Sequence, residues 1–249
     1  MDFDIISIFP YFFTGPLSHG MVFQAQKRGL IDIRIHDLRD FTSDRHKTVD
    51  DRPFGGGAGM VLKPEPLFRV IRKIRAEKTV LSRKIILLTP QGKRFEQRMA
   101  SEFSRLGQAV LICGRYEGVD ERVTECLVDE EISIGDYVLS GGELAACVFV
   151  DAVTRLLPGV LNNSSSAVNE SFAAIESAPN VADGCILDYP HYTRPEDFEG
   201  ERVPDVLLSG DHKRVERWRR KKALEKTLKN RPDLLQCATL SEEDKQLLG

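Results

Sequence analysis

Two glycine-rich loops carry the acidic side chains best placed to do chemistry in this sequence, and these acids are Glu117, Asp120, Glu121 and Asp136. Each loop follows a short apolar run, residues 108–113 and 131–134, which predicts a buried strand. Ligands of α/β domains bind beyond the carboxyl ends of the strands, and glycine lets the backbone approach a ligand closely. With a third loop at residues 87–92, these loops predict a small-molecule pocket built largely from main chain.

The elements that must position these loops alternate between strand and helix. The sequence predicts strands at residues 2–9, 30–36, 84–88, 108–113 and 131–134, and helices at residues 12–29, 64–78, 95–106 and 144–156. This alternation is typical of an α/β fold with a mostly parallel sheet covered on both faces. Residues 37–60 read as a polar loop, and their Gly-Gly-Gly-Ala-Gly run lacks the Gly-Lys-Ser/Thr ending of a phosphate-binding loop.

Composition narrows the class of protein. The 249 residues carry a net charge of only −3, so no overall positive charge points to nucleic acid. The 5 cysteines lack metal-ligand spacing and suit a reducing compartment, and the histidines predict no metal centre. We find no signal-peptide pattern and no apolar run of membrane-spanning length, so we expect a cytoplasmic protein.

The character of the chain changes after residue 160. Residues 161–183 are rich in Asn, Ser and Ala and read as a linker, whereas residues 213–229 predict a strongly basic helix capped by Asp211. A charged helix is often only a solvated face. Here the excess of cations is too large for neighbouring acids to neutralise, which favours contact with the phosphates of a nucleic acid. The candidate cations are Arg194, Lys213, Arg217 and Arg220.

Several candidate residues also have a plain structural interpretation. Asp120 and Glu121 suit the first turn of a helix, where carboxylates interact favourably with the helix dipole. Arg155 lies near the end of an apolar helix, where a cation is stabilising for the same reason. Taken alone, the residue pattern favours these structural roles.

Long motifs then resemble one family. They are DFTSDRHKTVDDRPFGGGAGM at residues 40–60, PQG at 90–92, CGRYEGVDER at 113–122, SIGDYVLSGGE at 133–143, PHYTRP at 190–195 and VLLSG at 206–210. In these motifs the chain resembles the bacterial tRNA (guanine-N1)-methyltransferases over nearly its whole length. The resemblance implies a SPOUT-type α/β fold with a C-terminal trefoil knot at residues 1–160, a flexible linker at 161–185, and a small helical tRNA-binding domain at 186–249.

The resemblance also implies partners. They are S-adenosylmethionine, tRNA and a second copy of the chain, in a homodimer whose active sites lie between the subunits, with a dependence on magnesium. The cofactor contacts would fall on Leu88, Pro90, Gly114, Tyr116, Glu117, Gly118, Ser133, Ile134, Gly135, Asp136, Tyr137, Val138, Leu139 and Gly141. These residues belong to the three loops that already predicted a pocket.

The implied chemistry needs a base and a cation. N1 of guanine must lose its proton before it can attack a methyl group, and a carboxylate can accept that proton. The family uses the Asp of an Asp-Ser-Phe motif, and this chain has Glu170-Ser171-Phe172 instead, with Asp183 and Asp188 as alternative acids. Arg155 matches the family's assisting arginine, which stabilises charge that develops on the base oxygen.

Two other functions remain open from the sequence. One is an RNA-binding protein that keeps the fold without catalysis. The presence of Glu170 where the family has Asp favours this alternative. The other is a SPOUT methyltransferase that acts on ribosomal RNA, which the motifs at residues 44–60 and 190–195 disfavour.

Overall fold

The computed structural model describes residues 1–161, 170–172 and 186–249, so most of the predicted linker lies outside the described residues. The chain divides into two compact units, Met1–Asn162 and Asn163–Gly249. Within the described parts of the chain, no helix is both long enough and apolar enough to cross a membrane.

The first unit is built on a parallel sheet. Its strands are β1 (Asp2–Ser7), β2 (Asp32–Asp37), β3 (Asp50–Asp51), β4 (Val61–Leu62), β5 (Arg83–Arg94), β6 (Gln108–Cys113) and β7 (Glu130–Ser133). Five of them form one sheet in the order β2-β1-β6-β5-β7, and every neighbouring pair in that order is parallel. The short strands β3 and β4 pair separately and antiparallel. The predicted α/β class with a mostly parallel sheet is therefore confirmed.

Helices cover both faces of this sheet. They are α1 (Gly20–Lys27), α2 (Pro64–Glu77), α3 (Gln97–Phe103), α4 (Glu121–Leu127) and α5 (Glu143–Thr154). One apolar core includes side chains of α1, α3 and α5, in which Phe149 packs against the rings of Phe95 and Phe103 at 5.3 and 5.1 Å. The other core includes side chains of α2 and α4. Alternate strand residues point to opposite faces, so β1, β5 and β6 contribute side chains to both cores.

Two predicted elements differ from the structure. The helix expected at residues 12–29 begins only at Gly20, after two 3-10 turns, Pro10–Thr14 and Pro16–Ser18, because Gly15, Pro16 and Gly20 interrupt a regular helix. The sequence predicts that strand β5 ends at residue 88, but it continues to Arg94, with a shift of register against β7 between Leu88 and Lys93. Pro90 lies within this irregularity, where a proline is tolerated because no hydrogen bond between the strands is lost.

The second unit is mainly helical in its described part. It contains a short hairpin, β8 (Asp197–Phe198) and β9 (Glu201–Arg202), and the helices α6 (Asp205–Leu208), α7 (His212–Asn230), α8 (Pro232–Cys237) and α9 (Glu242–Leu248). The predicted cap of the basic helix is confirmed, since the Asp211 side chain accepts a hydrogen bond from the Arg214 backbone N–H at 3.1 Å. Helix α9 packs against α7, and the contact includes a bidentate ion pair in which the Arg220 guanidinium donates two hydrogen bonds to Asp244, at 2.7 and 2.9 Å.

This pair gives a prediction for acid stability. The hydrogen bond from Arg220 lowers the pKa of Asp244 to about 2, below its ordinary value of 3.8. A depressed folded-state pKa contributes stability that is present above the unfolded value and is lost as the pH falls through about 2. We expect Asp244→Asn to destabilise this unit at neutral pH by about 2 kcal/mol, and the difference from wild type to shrink below pH 4.

The measurement is urea unfolding followed by the fluorescence of the single tryptophan, Trp218, which lies in α7. Glu243→Gln serves as the control, because its contact with Arg217 is 3.5 Å long and both side chains are mostly exposed. Equal unfolding midpoints for the two variants at pH 7 would contradict the prediction.

Candidate active site

A cleft of about 270 Å³ lies at the carboxyl edge of the sheet in the first unit. Its walls come from the three predicted segments, residues 87–91, 114–119 and 131–142, together with residues of α4 and α5. The strands β5, β6 and β7 end at this edge because they are parallel neighbours. The cleft therefore lies where parallel α/β sheets bind ligands.

Two of the cleft loops are joined directly. The Gly142 backbone N–H donates to the Gly114 carbonyl at 2.9 Å, and Arg115 forms an isolated antiparallel bridge with Gly141. A side chain at either glycine would collide with the opposite loop: a Cβ on Gly142 would lie 2.8 Å from Cys113 Cα, and one on Gly141 would overlap the Arg115 side chain. Glycine is required here by the close approach of two backbones.

Residues 59–62, at the end of the other glycine-rich segment, support the cleft from outside its lining. The Glu117 N–H donates to the Met60 carbonyl and the Leu62 N–H donates to the Gly118 carbonyl, both at 3.0 Å. The Glu117 carboxylate occupies the space where Gly59 would carry a Cβ. This segment thus fixes the loop after β6.

The structure brings together the predicted cofactor residues with one exception. Those that line the cleft are Leu88, Pro90, Gly114, Tyr116, Glu117, Gly118, Ser133, Ile134, Gly135, Tyr137, Val138, Leu139 and Gly141. Asp136 is exposed and is not among the lining residues. The loop after β7 is held by its own bonds, since Ser133 Oγ accepts from the Gly135 N–H at 3.2 Å and the Tyr137 hydroxyl donates to the Ile134 carbonyl at 3.2 Å.

The cofactor contacts implied by the resemblance leave out several lining residues, among them Gln91, Arg115 and Gly142. All three lie within the loops that predict the pocket, so the sequence does indicate them. Glu121 lies in the first turn of α4, as the structural interpretation predicted, and it also lines the cleft. Its neighbour Asp120 lies one position earlier and caps the helix. A hydrogen bond from Arg122 lowers the pKa of Asp120.

The cysteines near the cleft are not poised as nucleophiles. Burial raises the pKa of the Cys113 thiol well above its ordinary value, and burial with the nearby Glu143 charge raises that of Cys147 to about 11. Both thiols therefore stay protonated near neutral pH, and the protonated form is a poor nucleophile.

The predicted catalytic residues lie in different units. Arg155 is the half-buried residue that ends α5 in the first unit. Glu170 is half-buried in the second unit, and the two residues after it are bonded there. Ser171 Oγ accepts from the Asp188 N–H at 2.9 Å, and the Phe172 N–H donates to the Ile186 carbonyl at 3.3 Å.

The predicted nucleic-acid contacts differ in their surroundings. Arg194, Lys213 and Arg217 are exposed. Arg220 is half-buried, its side chain is 28% exposed, and its guanidinium pairs with Asp244. Among the described residues, no three His, Cys, Asp or Glu side chains come together as a possible metal site.

The fold and the cleft define a class: a parallel α/β protein with a cleft between glycine-rich loops at the carboxyl ends of its strands. Residues 1–237 match the family model described as tRNA (Guanine-1)-methyltransferase TrmD, and the chain therefore belongs to this family.

Curated relatives agree over the full length. A protein of Koribacter versatilis named tRNA (guanine-N(1)-)-methyltransferase is 58% identical over 100% of this chain and 97% of its own length. Proteins with the same name from Dictyoglomus turgidum and Geobacter metallireducens are 52% and 49% identical, over 98% and 100% of this chain and 94% and 96% of their own lengths.

Proposed function

We propose that this protein transfers a methyl group from S-adenosylmethionine to N1 of the guanosine that follows the anticodon in tRNA. The observation that carries the proposal is the family match over residues 1–237, with relatives of that name across the whole chain. The proposal extends the activity in the relatives' names to this protein and adds the roles of its own residues.

The lining of the cleft fits the proposed cofactor. S-adenosylmethionine supplies the activated methyl group when it is bound. The apolar side chains of Leu88 and Leu139 suit a flat adenine ring, and the glycines at positions 114, 135 and 141 present backbone groups for its polar edges. The Glu117 carboxylate is an acceptor for hydroxyl or ammonium groups.

We assign the removal of the guanine N1 proton to Glu170. Its motif is fastened to residues 186–188 by the Ser171 and Phe172 bonds, and the Leu187 N–H donates in turn to Thr227 Oγ1 of α7 at 2.9 Å. These bonds support Glu170 as the base, because a general base must be held within hydrogen-bond reach of the proton it accepts.

We assign charge stabilisation to Arg155. When N1 loses its proton, negative charge spreads onto the guanine oxygen, and a guanidinium beside that oxygen lowers the energy of the transition state. This role replaces the structural interpretation of Arg155 that the residue pattern alone favoured.

Further features of the family complete the proposal. We propose the trefoil knot at residues 1–160, a linker at 161–185 and tRNA binding by residues 186–249, through Arg194, Lys213, Arg217 and Arg220. The knot is supported by the return of the chain from edge strand β7 to the end of β6, past the intervening β5. The homodimer and the cytoplasmic location stay predictions. So does the dependence on magnesium, and no proposed step passes through a metal ion.

The test is a methylation assay. Purified protein is incubated with S-adenosylmethionine, magnesium and an unmodified tRNA transcript, and mass spectrometry of nuclease digests locates any new methyl group. We expect 1-methylguanosine 3′ of the anticodon, and none in a transcript that carries adenosine there. Binding of cofactor and tRNA without methylation would favour the non-catalytic RNA-binding protein, and methylation of ribosomal RNA alone would favour the other SPOUT class.

A further inference from the structure

Glu143 is a buried carboxylate beside the cleft, and the proposed methyl transfer does not use it. It is the first residue of α5, directly after the Gly141-Gly142 pair, and only 1% of its surface is exposed. A carboxylate at a helix N-terminus is favoured by the helix dipole, but burial of a charge still requires partners.

The partners of Glu143 come from two different strand ends. Ser7, the last residue of β1, donates from its hydroxyl to Glu143 Oε1 at 2.7 Å. Arg115, in the loop after β6, donates from Nε to Oε2 at 3.2 Å, and its terminal nitrogen lies at the same distance from Oε2. The Arg115 guanidinium also stacks over the Phe9 ring at 4.5 Å.

This cluster of Ser7, Arg115 and Glu143 connects the two joined loops of the cleft to the sheet. Arg115 reaches Glu143 by passing across Gly141, whose missing side chain leaves the space for it. The carboxylate therefore holds residues 114–118 and residues 135–142 at one separation, and both loops line the cleft. A site is pre-organised when the groups around it lock the backbone that contacts the ligand.

We propose that Glu143 is a positioning residue for cofactor binding, which with Ser7 and Arg115 fixes the spacing of the two loops that hold S-adenosylmethionine. The proposal rests on the proposed function for the identity of the ligand. In this proposal Glu143 does not touch the cofactor itself, so a substitution of Glu143 must change cofactor binding through the loops.

The same unit offers a matched control in Asp4 of β1. This carboxylate is also fully buried and accepts three hydrogen bonds, from Arg34, His36 and Gln108 at 2.8, 2.7 and 2.6 Å. Burial alone would raise the pKa of Asp4, but these hydrogen bonds outweigh it and lower the pKa. Asp4 lies near the beginning of β1, whereas Ser7 ends that strand on the side of the cleft. Asp4→Asn thus tests the loss of a buried charge without touching the loops.

The experiment compares Glu143→Gln with Asp4→Asn in the full chain by titration calorimetry with S-adenosylmethionine. We expect Kd to rise by at least about tenfold in Glu143→Gln, because a charged hydrogen-bond acceptor is lost, and by less than about twofold in Asp4→Asn once the folded fraction is matched. In turnover, KM for the cofactor should rise while kcat at saturation stays within about threefold. Ser7→Ala, which keeps the ion pair, gives a milder increase if Glu143→Gln folds poorly.

Hydrogen exchange supplies a readout that needs no ligand. We expect the amides of residues 114–118 and 135–142 to exchange faster in Glu143→Gln than in Asp4→Asn at matched global stability. Equal exchange in the two variants, or a wild-type Kd for Glu143→Gln, would overturn the proposal. If the wild-type protein bound no S-adenosylmethionine, the proposed function would fail, and the exchange comparison would still decide whether Glu143 positions the loops.

Discussion

Glu170→Gln is expected to slow methyl transfer to tRNA by about 10²- to 10⁴-fold while leaving the affinity for S-adenosylmethionine unchanged. Glutamine keeps the shape of glutamate but cannot accept the proton that N1 of guanine must release. Glu170 is not among the residues that line the cleft, so the substitution changes none of the cofactor-binding side chains proposed there. Single-turnover rates at saturating tRNA and cofactor measure the effect without interference from product release.

Two further substitutions separate the base from its alternatives. Glu170→Asp shortens the side chain to the residue of the family motif and should retain most of the rate, because the acid is preserved. Asp188→Asn should have a small effect, since the Asp188 carboxylate already accepts from the Tyr189 N–H at 2.8 Å and lies 2.9 Å from His191 Nε2. A fast Glu170→Gln with a slow Asp188→Asn would transfer the base role to Asp188. Asp183, the other alternative acid, lies outside the described residues, and Asp183→Asn is the third variant of the comparison.

The position of the cleft was predictable from local pattern. Short apolar runs that end in glycine-rich loops predict the strands β6 and β7. The order of run and loop also predicts the end of each strand from which the loop leaves the sheet. Because parallel strands end at a common edge, the loops had to meet. Local reasoning also identified Asp211 as the cap of the basic helix and placed Asp120 at the beginning of a helix, since both depend on residues close in sequence.

Contacts between distant residues were not predictable. Arg115 and Glu143 are 28 positions apart, and Asp4 and Gln108 are 104 apart, so their pairing depends on the strand order and on the path of the loop after β7. The pair of Arg220 and Asp244 shows the same limit, because the two residues are 24 positions apart and α9 brings them together. The charge of a helix can be read from the sequence, whereas the partners of its cations depend on tertiary packing.

Gly142→Ala is expected to weaken binding of S-adenosylmethionine by about 100-fold, because the added methyl group has no space. Its Cβ would lie 2.8 Å from Cys113 Cα and 3.1 Å from the Gly114 nitrogen, and both neighbours are backbone atoms of the opposite loop. The Gly142 backbone itself, at φ −79° and ψ −3°, suits alanine, so any loss must come from crowding between the two loops.

Gly29→Ala provides the opposite case within the same unit. Gly29 has a φ of +69° and no atom within 4 Å of an added Cβ, so alanine would strain the backbone without crowding any neighbour. We expect a loss of about 1 kcal/mol in the free energy of unfolding and an unchanged cofactor Kd. Calorimetric titration and thermal unfolding of both variants separate the two effects. A Gly142→Ala protein that binds the cofactor as tightly as wild type would mean that the close approach of the two loops does not shape the binding site.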